Sequence, residues 1–156
     1  MKIKGIAPWF GSKRTLAPAI IRQLGAHASY WEPFCGSLSV LMAKPESRHE
    51  TVCDLHGELI NLARVLASDD APRLYEAASR VLCSTQLYDE LASATSPDDP
   101  VAAATRFLAL SWLGRNGTSG TERTNYAPSV RYTSGGGSSP TRWRSAVESI
   151  PSWHER

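Results

Sequence analysis

The sequence predicts an α/β protein, on three observations. A short aromatic strand, Tyr30 to Phe34, runs into a glycine turn at Gly36 and then a helical stretch, Ser37 to Ala43. A second strand, Glu50 to Asp54, ends in an acid. From there the apolar residues Leu55, Leu59, Leu62, Ala63 and Leu66 recur at helical spacing. Strand, turn, helix, strand is the βαβ order, in which parallel strands are joined by a crossover. At 156 residues the chain suffices for one domain with a hydrophobic core and is too short to expect two.

Composition excludes several classes. Hydrophobic content of 42% and charged content of 21% are those of a globular protein rather than a disordered one. No apolar run approaches the roughly 20 residues that span a bilayer. The start, Met1-Lys2-Ile3-Lys4-Gly5, lacks the apolar segment of a signal peptide, so no membrane partner and a cytoplasmic location are expected. Cys35, Cys53 and Cys83 make no Cys-x-x-Cys pair, and His27, His49, His56 and His154 are scattered. No metal spacing results, and the cysteines are expected to be reduced.

Taken in order, the first element is the loop Ala7-Pro8-Trp9-Phe10-Gly11-Ser12-Lys13-Arg14, followed by a helix on Leu16, Ile20, Ile21 and Leu24. Ser12 is its expected N-cap and Gly25 its expected end. An aromatic, a glycine and a lysine ahead of a helix can stack a flat ring, admit it closely and neutralise a carboxylate; the same loop can simply tuck Trp9 into the core. The turn at Gly36 presents backbone N–H groups to a ligand, or serves only as a turn. Asp54 follows Gly36 by 18 residues, near the offset of about 20 at which nucleotide-binding α/β folds place a ribose-binding carboxylate. It can equally cap the helix it precedes.

Residues 70–114 read as helices: one on Leu74, Ala77, Ala78, Val81 and Leu82, a short one on Leu87, Tyr88 and Leu91, and one from Val101 to Leu113. A proline- and aspartate-bearing loop, Ala94 to Pro100, separates the last two. The segment Gly114 to Tyr126 then contains an Asn-Gly pair that favours a hairpin, and Ser134 to Ser139 is glycine and serine only. Between Val101 and Arg144 lie Arg106, Arg115, Arg123, Arg131, Arg142 and Arg144 against Glu122 alone. Such an excess suits a phosphate-contacting surface, or a solvated basic loop. A last helix is expected from Thr141 to Ile150.

Trp9-Phe10-Gly11-Ser12-Lys13, Glu32-Pro33-Phe34-Cys35-Gly36, Asp54-Leu55, and Arg115-Asn116-Gly117 with Arg123-Thr124-Asn125 together resemble the Dam-like adenine-specific DNA methyltransferases, especially phage-type members. The resemblance implies a Rossmann-like core using S-adenosylmethionine, with a helical and hairpin insertion that recognises double-stranded DNA. It divides the chain into a cofactor-binding βαβ part, 1–69, a recognition insertion, 70–145, and a return to the core, 146–156. It implies cofactor contacts from Trp9 and Lys13, a floor under the methionine and ribose from Phe34 and Gly36, and a ribose-binding carboxylate at Asp54. Arg115, Asn116, Arg123 and Asn125 would face DNA.

Two departures from the family pattern stand out. Leu38 occupies the place of a second glycine, and no Pro-Pro pair occurs anywhere, so the Asp-Pro-Pro-Tyr tetrad that holds the target amine has no counterpart. The resemblance therefore implies an incomplete core, catalytic residues none, inactive alone, with a separate chain as one source of the missing half. The alternative is a non-catalytic DNA-binding module derived from such an enzyme. A nicotinamide-nucleotide enzyme is disfavoured, because Gly-x-Gly-x-x-Gly is absent.

Overall fold

The computed structural model describes residues 5–114 and 138–156. Its elements are α1 (Ala17–Leu24), β1 (Ser29–Glu32), β2 (His49–Val52), α2 (Gly57–Leu66), α3 (Ala71–Ser79), α4 (Thr85–Ser93), α5 (Pro100–Leu113) and α6 (Ser139–His154). The α/β class holds: β1 and β2 pair in parallel, with Ser29 opposite His49 and Glu32 opposite Val52. The pairing continues past the strands, since Cys53 N–H donates to the Glu32 carbonyl and Cys35 N–H to the Cys53 carbonyl, at 2.9 and 3.0 Å.

The crossover between the strands departs from expectation. Residues 37–43 form successive turns rather than a helix. The reason is at the backbone: Gly36 has φ +48° and Leu38 φ +59°. Left-handed residues interrupt the helical run, and at leucine that conformation costs roughly 1–2 kcal/mol. Leu38 is 3% exposed, so its burial offsets the strain.

The helix termini follow local chemistry. Gly25, at φ +60°, ends α1 as expected. Ser12 does not cap α1; its hydroxyl is engaged by Ser37 and Ser39, and the helix starts at Ala17 behind a turn on the Lys13 carbonyl. His56 caps α2, its Nδ1 accepting from Leu59 N–H at 3.3 Å. Leu55 thereby falls outside the helix and is fully exposed. Leu82 is exposed for the same reason, α3 having ended at Ser79. Asp99 caps α5 through Ala102 N–H at 2.8 Å. α6 runs past the expected Ile150 and through Pro151, its last turn fixed by buried Trp153 and by Glu155 N–H on the Pro151 carbonyl.

α5 is the central helix, buried on nearly all sides and apolar accordingly. Phe107 and Leu108 on it pack with Leu59 and Leu62 of α2, Leu74 of α3 and Ile150 of α6 in one continuous core. A smaller cluster, Ala17, Tyr30 and Val40, joins α1 to the sheet. The other sheet face is open: Trp31 is 70% exposed, although parallel sheets are ordinarily covered on both faces. Among the described residues, no helix is long and apolar enough to cross a membrane.

Ion pairs centred on Arg106 and on Glu50 join separate elements. Arg106, expected among the phosphate-contacting arginines, is buried in α5 instead. It donates to the Leu91 and Ala94 carbonyls at 2.8 and 2.7 Å and to Glu58 at 2.9 Å. Glu50 of β2 holds Lys44 and Arg156. Burial alone would raise the Glu50 pKa, but bonds from Arg156, Lys44 and the Ser47 N–H hold it at about 2. Its contribution to stability is therefore full above the free carboxyl value and lost as pH falls through that folded value. Acid titration of thermal stability should show a loss between about pH 4.5 and pH 2 that is smaller in Glu50→Gln.

Candidate functional site

Because β1 and β2 are parallel, the segments that leave them emerge at the same edge of the sheet. The turn after β1 and the acid after β2 meet there. Asp54 accepts from Gly36 N–H through Oδ2 at 2.9 Å and from His56 N–H through Oδ1 at 3.1 Å. It thus joins the glycine turn to the start of α2 without being the N-cap itself.

Trp9 lies over this turn. A Cβ added at Gly36 would stand 2.9 Å from Trp9 Cδ1 and 3.0 Å from Nε1, and φ is positive there, so glycine is required on two counts. The Trp9 ring meets His56 edge-on at 5.3 Å, and His56 packs on Phe107 at 5.3 Å. A line of rings therefore runs from the site into the core.

Lys13 reaches the same turn from the N-terminal loop. Its Nζ donates to the Phe34 carbonyl and lies 3.6 Å from Glu32 Oε1. Glu32 is buried, and its other oxygen accepts from the Tyr30 hydroxyl at 2.7 Å. Burial, then that bond to Glu32, raises the Tyr30 pKa and keeps the phenol protonated. Beneath the loop, the hydroxyls of Ser12, Ser37 and Ser39 form a triangle with sides of 2.8 to 2.9 Å. Phe34 is 72% exposed and Phe10 86%, leaving aromatic surface open to a ligand near the turn.

Cys35 is unsuited to nucleophilic chemistry. Burial, then the charges of Asp54 and Glu32, pushes its thiol to about 12, so the reactive thiolate is scarce at neutral pH. Among the described residues, no three His, Cys, Asp or Glu side chains lie together as metal ligands.

The residues picked out in the N-terminal half thus converge: Trp9, Gly36 and Asp54 are linked through contacts at Gly36, with Lys13 and Phe34 on the same turn. Sequence reasoning missed Glu32, His56 and the serine triangle. His56 had a legible signal, standing directly ahead of an apolar helical run. Glu32 stood in the motif Glu32-Pro33-Phe34-Cys35-Gly36, but no local signal showed that it is buried on the sheet face it shares with Tyr30. Arg115, Asn116, Arg123 and Asn125 lie outside the described residues.

A family model, that of the D12 class N6 adenine-specific DNA methyltransferases, matches residues 9–141, beginning at Trp9 and spanning the whole site. A search of curated proteins returned no match.

Proposed function

The chain belongs to the D12 class N6 adenine-specific DNA methyltransferase family, and from that membership we propose that its Gly36–Asp54 turn binds S-adenosylmethionine and that the chain engages double-stranded DNA. The observation that carries the cofactor reading is the Asp54 carboxylate tied to Gly36 N–H at 2.9 Å under Trp9.

The residues fit the group. Each Asp54 oxygen accepts one backbone N–H and keeps a further lone pair, so the two can accept the paired hydroxyls of a ribose. A side chain at Gly36 would strike Trp9, so glycine lets the indole lie directly on the turn, whose Gly36 N–H is already given to Asp54; a ligand is met here by Asp54 and the Trp9 ring rather than by bare main chain. Lys13 has three donors; one goes to the Phe34 carbonyl and its charge also faces Glu32 at 3.6 Å, and a remaining donor can meet the cofactor carboxylate. Exposed Phe34 covers the methionine and ribose portion. When bound, the cofactor supplies a sulfonium methyl group for the exocyclic amine of adenine.

Residues 1–69 form the cofactor part of a Rossmann-like core, 70–145 the recognition insertion, and 146–156 the return to the core. Arg115, Asn116, Arg123 and Asn125 contact DNA phosphates and base edges. In this reading the protein works in the cytoplasm.

These 156 residues contain no Pro-Pro pair, so they hold no tetrad to orient the flipped adenine. In this reading a separate chain is one source of that group. The same absence favours the second reading, a DNA-binding module without chemistry. With labelled S-adenosylmethionine and unmethylated duplex DNA, the 156-residue chain should transfer no methyl group above background. Sustained turnover would contradict the assignment of chemistry to a missing tetrad.

A further inference from the structure

The connection that carries Gly36 and Leu38 is irregular, and its shape is braced from the far end of the chain. Within it, backbone bonds make separate turns: Leu38 N–H to the Cys35 carbonyl, Met42 N–H to that of Leu38, and Lys44 N–H to that of Val40. A ladder of this kind does not fix its own geometry as a helix does.

Arg156 supplies bonds to this connection from outside. Its Nε donates to the Leu41 carbonyl at 3.1 Å and one terminal nitrogen to the Lys44 carbonyl at 3.5 Å. The same guanidinium forks onto Glu50, at 3.0 Å to Oε2 and 3.1 Å to Oε1. Glu50 also takes the Ser47 N–H at 2.9 Å and Lys44 Nζ, while Lys44 lies 4.6 Å from the centre of the Tyr30 ring. Glu50 belongs to β2, the strand that leads to Asp54. One planar side chain, 13% exposed, therefore touches the segment after Gly36 and the strand before Asp54 at once.

We propose that Arg156 is a positioning residue for the cofactor turn: it sets the connection against β2 so that Gly36 N–H stays within hydrogen-bond reach of Asp54. This rests on the cofactor reading only for its functional consequence, since the brace itself is independent of any ligand. Lysine separates the two parts of the role. It keeps a charge beside Glu50 but lacks the rigid fork that serves Glu50 and two carbonyls together.

The test compares wild type, Arg156→Lys and Arg156→Gln in the 156-residue chain by amide hydrogen exchange and by calorimetric titration with S-adenosylhomocysteine. In Arg156→Lys the Gly36 amide should exchange about tenfold faster while amides of α2 and α5 keep their rates, and ligand affinity should fall about tenfold, the size of one charge-assisted bond. Arg156→Gln should do the same and also melt earlier. Unchanged Gly36 exchange in Arg156→Lys would overturn the proposal, as would acceleration spread evenly over α2 and α5. A wild type that binds no S-adenosylhomocysteine would instead refute the cofactor reading, with the exchange data still deciding the brace.

Discussion

Asp54→Ala should weaken S-adenosylmethionine binding by about a hundredfold or more. The estimate follows from two charge-assisted bonds to ribose hydroxyls, each contributing about 1.5–3 kcal/mol. A second loss compounds it, because Gly36 N–H and His56 N–H both lose their acceptor and the turn is freed from α2. Asp54→Asn separates the two effects, since its amide oxygen can still accept one backbone N–H while the charge is gone. It should fold like wild type and bind with intermediate affinity. Titration calorimetry, with circular dichroism to verify folding, reads both; wild-type affinity in a folded Asp54→Ala would remove Asp54 from the site.

Arg106→Ala should have the largest effect on stability, lowering it by about 3–5 kcal/mol, the usual cost of breaking a buried ion pair by removing one partner. The Arg106 side chain is 4% exposed and its bonds hold α2 and the end of α4 on α5. Removing it takes one donor from Glu58 and one each from the Leu91 and Ala94 carbonyls. Arg106→Met keeps most of the volume and should cost less than the alanine variant. Urea denaturation should give a much lower midpoint for Arg106→Ala at unchanged slope. A midpoint near wild type would return Arg106 to the surface, where the sequence first put it.

That arginine shows where sequence reasoning reaches its limit. Counting charges between Val101 and Arg144 registers Arg106 as part of a basic segment, but only packing reveals that it faces Glu58 and two carbonyls. The strands, α1 and α5 were legible because their signals are local: a short aromatic run ahead of a glycine turn, a second run ending in an acid, Gly25 after the apolar positions of α1, and Asp99-Pro100 ahead of an apolar run. The stretch 37–43 had the composition of a helix and is none, because Leu38 adopts a left-handed conformation that leucine's own preference argues against. Leu55 matched the α2 stripe by spacing, yet His56 as the cap leaves it outside.

At the candidate site, motif order named Trp9, Lys13, Phe34, Gly36 and Asp54 before any contact was known. What it could not provide was their connection: the Asp54 bond to Gly36, the stacking of Trp9 on that turn, and the engagement of Lys13 by the Phe34 carbonyl beside buried Glu32. The βαβ order implies parallel strands, but which side chains then meet at their ends depends on tertiary packing that no local pattern encodes.

The most direct measurement is a calorimetric titration of the wild-type 156-residue chain with S-adenosylmethionine, without DNA. A saturable single-site isotherm in the micromolar range is predicted. A chain that binds duplex DNA in a salt-sensitive manner but gives no heat with S-adenosylmethionine would contradict the cofactor site at Gly36 and Asp54 and leave the DNA-binding module in its place.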